Sequence, residues 1–309
     1  MVYTLTFAPC IDYRLDLAGK PIRIGGVNRP VATAKWLGGK GITVTGMLDN
    51  LGVDNVPIVA IGGQVGDQIK EMVLRENKNA FFIDTECESR IDVVVFGDTD
   101  TRFDPIAPKI SKKGIEDAFS FLTSRVKKGD VLVMSGSLGQ ESPDLYAQVL
   151  EKVVNPVGAI GIVDTIDKAL LDSLPFHPYL IKPNDEELGD IIGHKVTTDE
   201  EIINGGLELL DKGPQNVVVS MGGKGSYFFS GDKHVYSISA AKGYKFINPV
   251  GTGDSSIAGF VKGLVEKQPV EVVLQWMAAA GGSTAFSNGL GKIDLFKELV
   301  PQIKVEKVK

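Results

Sequence analysis

Near its C-terminal end the chain reads NPVGTGDSS (residues 248–256) and runs straight into IAGFVKGLVEK. Two glycines and an aspartate fall on what reads as the first turn of a helix. Amides there point outward, the helix dipole adds positive potential, and glycine lets the backbone close around an anion. Gly251, Thr252 and Gly253 thus form a phosphate-sized anion site. Asp254, set among those amides, would repel a ground-state phosphate. Its place makes sense if it takes the proton from a hydroxyl that attacks a phosphoryl group held on the amides. The other reading is a plain helix cap, the commoner role of such an aspartate and slightly favoured by this stretch alone.

Four further stretches carry chemistry of the same kind. In LGGKGITVTGMLDNLG, Gly38, Gly39 and Lys40 precede a helix, a backbone suited to an anion or a polyol; a tight turn with a solvated lysine fits equally well. In LIKPNDEEL, a strand ends at Lys182 and Pro183 breaks it. Asn184 and Glu187, three apart, share one side of a starting turn. Both offer hard oxygen to Mg²⁺ or to its waters, and both also suit an ordinary N-cap. In VVVSMGGKGSYFF, Ser220, Gly222, Gly223 and Gly225 make a turn that a flat or phosphorylated ligand could approach, or a plain hairpin. Arg90 opens the strand SRIDVVV and reads as a solvated edge charge or as a bidentate phosphate clamp.

Other chemistries are excluded. No GxxxxGK[ST] and no GxGxxG after a strand occurs. A net charge of −6 argues against general nucleic-acid binding. Cys10 and Cys87 lie far apart without a CxxC spacing, and His177, His194 and His234 are scattered, so neither a disulfide framework nor a zinc site is expected. The N-terminus lacks the pattern of a signal peptide and no apolar run is long enough to span a bilayer, so no membrane role and a cytoplasmic location are expected.

The elements that must position these residues alternate. Apolar strand-length runs begin at residues 2–7 and 56–62 and continue as VVVFG, VLVMSG, AIGIVD, YLIKPN and NVVVSMGG, most of them separated by helical patterns. SPDLYAQVLEKVV predicts a helix with Ser142 as N-cap, Pro143 in its first turn and Leu145, Val149, Leu150 and Val153 on one face. The alternation predicts a mostly parallel sheet covered on both faces, with ligands at the carboxyl ends of its strands. That is where the glycine-rich and polar stretches fall. Two segments break the rhythm, about 11–37 and about 88–106. The second reads as a hairpin turning at GDTD, and together they predict a small separate sheet. One domain spanning residues 1–309 is expected, its tail IKVEKVK a frayed end or short edge strand.

The order of TFAPCIDY, GGKGITV, SRIDV, SGSL, KPNDEEL, VVSMGGKGS and NPVGTGDSSIAGF resembles the ribokinase-like carbohydrate kinases of the PfkB family over essentially the whole chain. Within it the motifs lie closest to the bacterial 1-phosphofructokinase branch, with the tagatose-6-phosphate kinases next. The resemblance implies a three-layer α/β/α sandwich with a β-sheet lid, Mg-ATP as phosphoryl donor, and Asp254 as catalytic base beside an anion hole of Gly251, Thr252 and Gly253. It implies that Asp12 and the Gly38–Lys40 backbone hold sugar hydroxyls, with Thr43, Asp92 and Ser137 also on the acceptor side. Arg90 and Lys40 would meet the phosphate already on the sugar. Lys182, Asn184 and Glu187 would organise ATP phosphates and Mg²⁺, the last two through water. Ser220, Gly222, Gly223 and Gly225 would line the nucleotide, and Asn288 would flank adenine. A homodimer through the lid is a further expectation.

Departures from the family pattern cluster on the acceptor side: Ala8, Thr43 and Asp92 stand where asparagine is usual, and Ala107 where glycine is usual. An acidic Asp92 would repel a sugar phosphate unless Arg90 or a lysine compensates. The reaction implied is phosphorylation of D-fructose 1-phosphate to fructose 1,6-bisphosphate. Tagatose 6-phosphate or an unphosphorylated sugar or nucleoside as acceptor is the alternative. A sugar-phosphate-binding regulatory protein with weak catalysis is the alternative of another class.

Overall fold

The computed structural model describes residues 1–76 and 79–309. In chain order the strands are β1 (Val2–Thr6), β2 (Cys10–Asp16), β3 (Ala32–Gly38), β4 (Asn55–Ile61), β5 (Phe81–Asp84), β6 (Arg90–Phe96), β7 (Thr101–Phe103), β8 (Val131–Ser135), β9 (Ile160–Asp164), β10 (Leu180–Ile181), β11 (Val217–Ser220), β12 (Ser226–Phe229), β13 (Val235–Ile238) and β14 (Val305–Lys307). Ten of them form one sheet in the order β14-β13-β12-β11-β10-β9-β8-β1-β4-β5. The run from β11 to β5 is parallel; β12, β13 and β14 join antiparallel at one edge.

The central strands are buried along their length because both faces are covered, and period-2 alternation sends successive side chains into different layers. Tyr3, Leu5, Leu132, Met134 and Val163 enter one core, which the helices Lys112–Arg125, Asp185–Ile192 and Asp199–Asp211 help to close. Val2, Val131, Val133 and Ile162 enter the other, under Lys40–Asn50, Thr252–Val265 and Val270–Ala285. The result is the expected three-layer sandwich.

The two arrhythmic segments do pair with each other. β2 runs antiparallel to β3 and parallel to β6, and β6 turns back into β7, giving the small sheet β3-β2-β6-β7. The hairpin turn falls at GDTD, with Val95 opposite Thr101. The tail ends as edge strand β14 against β13.

Two local expectations need correction. The helix after β8 starts at Leu145, not after a Ser142 cap: Ser142 and Pro143 lie in a turn in which the Leu145 N–H donates to the Ser142 carbonyl (3.1 Å). That helix then widens into a π-helical stretch, Leu150–Val154. Its predicted apolar face is nonetheless buried at Leu145, Val149, Leu150 and Val153. β5, at the far parallel edge, is a strand that the apolar runs in the sequence did not single out. Among the described residues no helix is long and apolar enough to cross a membrane.

Candidate active site

The carboxyl ends of β1, β8, β9 and β10 and the start of helix Thr252–Val265 surround a cavity of about 840 Å³. Ala8, Asp12, Gly38, Gly39, Lys40, Thr43, Arg90, Ser137, Lys182, Gly251, Gly253 and Asp254 all line it, gathered from six distant stretches. A second cavity of about 250 Å³ lies between β11, β12 and the helix pair, lined by Ser220, Gly222, Gly223, Gly225, Phe246, Met277 and Phe286. Lys182 and Gly253 line both, so the two spaces meet at that point.

Asp254 does not cap its helix. The N-cap position is Gly251 in the left-handed region at φ 81°, which glycine adopts without strain, and no side chain caps the first turn. Asn248 shapes the approach: its Oδ1 accepts from the Val250 N–H (3.0 Å) and its Nδ2 donates to the Val250 carbonyl (3.1 Å). The helix therefore begins with amides uncapped by side chains and with Asp254 on its first turn, 9% exposed. Ser255, next along, bonds Thr284 of the neighbouring helix (2.7 Å) and ties the start of this helix to its packing partner.

Beneath Asp254 lies a residue that no motif announced. Asp164 ends β9 with only 4% of its side chain exposed, its two oxygens 3.4 Å from Lys40 Nζ and 3.5 Å from Lys182 Nζ. Burial works to raise the Asp164 pKa, but Lys182 and Lys40 outweigh it and hold the carboxyl below its ordinary value. Burial likewise works against the Lys40 ammonium, and Asp164, Asp254 and Glu187 outweigh it and push its pKa up. Asp254 goes the other way: burial, then repulsion by Asp164, push it up to about 7 against the pull of Lys40 and Lys182. One aspartate is thus a fixed anion between two lysines and the other titrates near neutrality, the division expected of an anchor and a base.

Asn184 and Glu187 form a capping box. Asn184 Oδ1 accepts from the Glu187 N–H (2.7 Å), and Glu187 Oε2 accepts from the Asn184 N–H (2.9 Å). The bland reading of that stretch therefore holds as local structure. It still leaves Glu187 Oε1 and a second lone pair on Asn184, hard oxygens of the kind that bind magnesium or its waters. The glycine turn is a cradle on the nucleotide side: a Cβ on Gly222 or Gly223 would meet nothing within 4 Å. Neither Asn184 nor Glu187 lines either cavity; the fit to a magnesium nucleotide rests on their donor chemistry and on the open backbone at Gly222 and Gly223.

At the lid end Arg90 is not a free clamp. Its Nη1 donates to Asp104 and to the Pro105 carbonyl (3.0 Å), and its Nη2 to the Ala8 carbonyl (3.3 Å). Asp92 is fully buried and compensated as the sequence required, by Arg90 (3.3 Å) and by an unforeseen Arg102 (2.7 Å). Asp12 lies 3.7 Å from the same Arg102. Burial raises the Asp12 pKa; Arg102 opposes this and Asp92 adds to it. Gly38 lets β3 close onto this group, since a Cβ there would fall 2.5 Å from Cys10 Sγ and 2.9 Å from Asp12 Oδ2. Thr43 Oγ1 donates back to the Gly39 carbonyl (3.1 Å), and Ser137 Oγ accepts from the Gly139 N–H (3.0 Å). Asn288, Gly289 and Leu290 line the larger cavity.

A sheet whose strand ends present a helix-start anion site, a buried aspartate and two lysines between two adjoining cavities is an arrangement suited to phosphoryl transfer. The pfkB family carbohydrate kinase model matches residues 6–293. The 1-phosphofructokinase of Bacillus subtilis is 33% identical over all of both chains, and a tagatose-6-phosphate kinase of Staphylococcus epidermidis is also 33% identical over all of both. Phosphofructokinase-2 from Escherichia coli, solved with fructose-6-phosphate, shares the fold at TM-score 0.88 and 23% identity, over 97% of this chain and 98% of its own. The chain belongs to the PfkB family of carbohydrate kinases and is an enzyme that transfers a phosphoryl group to an alcohol.

Proposed function

We propose that the protein is a sugar-phosphate kinase that transfers the γ-phosphoryl group of ATP to the 6-hydroxyl of D-fructose 1-phosphate, giving ADP and fructose 1,6-bisphosphate. The observation that carries this reading is the position of Asp254. It is a buried carboxyl held up to about 7, on the first turn of an uncapped helix, lining the larger cavity next to Gly253, where the two cavities meet. The larger cavity takes the sugar and the smaller takes the adenosine. Asp254 accepts the proton of the attacking hydroxyl as the O–P bond forms and the bond to the β–γ bridging oxygen breaks. The amides of Gly251, Thr252 and Gly253 hold the transferring group, and Lys182, beside Gly253, offsets its charge. Lys40 does the same from the acceptor side. Asn184 and Glu187 would hold Mg²⁺ through water, and the ion when bound supplies charge neutralisation on the nucleotide phosphates. Catalysis of this kind is chiefly positioning and electrostatics.

Tagatose 6-phosphate is the second acceptor to consider, because a tagatose-6-phosphate kinase matches end to end, Ala8 and Thr43 line the larger cavity, and Asp92 is buried against Arg102 of its wall. One assay decides: ADP release with a panel of phosphosugars. Fructose 1-phosphate is expected to give the highest kcat/KM. A higher value for tagatose 6-phosphate replaces the acceptor, and binding of a phosphosugar without ADP release replaces the enzyme with a regulatory binding protein.

A further inference from the structure

We propose that Arg102 on β7, aimed by the buried Asp92, is the specificity-determining residue that grips the phosphate already carried by the acceptor. The inference rests on the sugar-phosphate kinase reading and assigns one group of that site.

A guanidinium offers five N–H donors, and a phosphate is held best by two parallel ones. The fork of Arg90 is turned into the protein. It is engaged by Asp104 and by the carbonyls of Pro105 and Ala8, and its side chain is only 14% exposed. Arg102 makes one close hydrogen bond, from its Nη2 to Asp92 Oδ2 (2.7 Å), and looser ion pairs from Nη2 to Asp12 (3.7 Å) and from Nε to Asp104 (3.9 Å), with half of its side chain exposed, lining the same cavity, and its Nη1 unengaged. It stands 3.7 Å from Asp12, hence over the floor that Asp12 and Gly38 make. N–H groups of its head remain for a ligand.

Asp92 explains why Arg102 is held there. A carboxylate without solvent contact must be paired, and of its two arginine neighbours Arg102 is the nearer. The amide usual in the family at that position carries no charge with which to fix a guanidinium. The lid end also provides no general attraction for an anion, because Asp12, Asp92 and Asp104 outnumber Arg90 and Arg102 by one charge. Arg14, stacked 4.0 Å over Trp36, adds one positive charge and Glu76 on the cavity wall adds one negative. Recognition of a phosphate here must come from directed hydrogen bonds, which a lysine of equal charge supplies poorly.

The test compares the best phosphosugar of the panel with its unphosphorylated counterpart, in wild type, Arg102→Met, Arg102→Lys and Arg90→Lys. Arg102→Met should lower kcat/KM for the phosphosugar by about 10- to 100-fold, as expected for losing charge-assisted hydrogen bonds, mostly through KM. It should lower kcat/KM for the unphosphorylated sugar far less, since there only the weak pairing with Asp12 is lost, and Arg102→Lys should recover only part of the phosphosugar loss. Asp92→Asn should raise KM for the phosphosugar while sparing kcat. An equal loss on both sugars, or a selective loss in Arg90→Lys instead, overturns the assignment. Should the wild type release no ADP with any phosphosugar, the kinase reading fails separately. Calorimetric binding of fructose 1-phosphate then still decides, since equal affinity in wild type and Arg102→Met overturns the role of Arg102.

Discussion

If Asp254 is the base, as proposed, its surroundings set the pH at which the enzyme works. Burial and the neighbouring Asp164 raise its pKa from the ordinary 3.8 to about 7, against Lys40 and Lys182. A general base acts only when ionised. At pH 6 about one-tenth of the molecules carry the active form, and at pH 8 about nine-tenths. The profile of kcat/KM should therefore rise tenfold per pH unit up to about pH 7 and then level. The acceptor's own phosphate titrates near pH 6, so a control is needed. Asp164→Asn supplies it: removing the repelling carboxylate lowers the Asp254 pKa, and the acid limb should move to lower pH, whereas a limb set by the substrate's phosphate would not move. Asp254→Asn should lose at least 10²-fold in kcat and the limb with it. Folding stability checks the same shift. A carboxyl whose pKa is raised on folding stabilises the fold while it is protonated and loses that contribution as pH climbs through the folded value. The amide variant should therefore gain on wild type from pH 4 upward, levelling above pH 7 at about 4 kcal/mol, the difference between 3.8 and 7 at 1.36 kcal/mol per unit. An acid limb near pH 4 in wild type, or one that stays in place in Asp164→Asn, refutes the electrostatic account.

Glu187→Gln separates two roles, because glutamine serves a capping box as glutamate does. Melting temperature should be unchanged while the Mg²⁺ concentration for half-maximal rate rises about tenfold; an unchanged Mg²⁺ requirement leaves Glu187 as a cap only. The lid leaves Ile24, Val27, Phe103 and Ile106 more than half exposed, which fits a second copy packed there. Sedimentation velocity should find a dimer, and Phe103→Asp with Ile106→Asp should convert it to monomer; a monomeric wild type removes the lid interface.

How far the sequence reveals this site depends on whether a residue's role is local. Gly251 and Asp254 are legible because a glycine-rich helix start is a local device, and so are the strands whose β-branched runs need cover on both faces. Asp164 is not. It ends a strand as IVD much as Asp84 ends β5 as FID, and nothing nearby distinguishes them. Only the strand order does: β9 lies between β8 and β10 in mid-sheet, bringing Asp164 between Lys40 and Lys182, while β5 lies at an edge.

Arg90 and Arg102 carry the same point into the lid. An arginine opening a strand reads as a clamp until Asp104, fourteen residues on, occupies it. That pairing requires the β6–β7 hairpin, and the same hairpin carries Arg102 to Asp92. Asp92 then ceases to be a charge that merely repels the acceptor. Burying it obliges the chain to keep a guanidinium at its side, and that guanidinium stands over the sugar floor. The substitution that looked like the loss of an amide contact therefore relocates the contact from the strand that carries Asp92 to the one beside it. On the proposal made above, acceptor choice turns on a pair of residues whose meaning appears only when the two strands are paired.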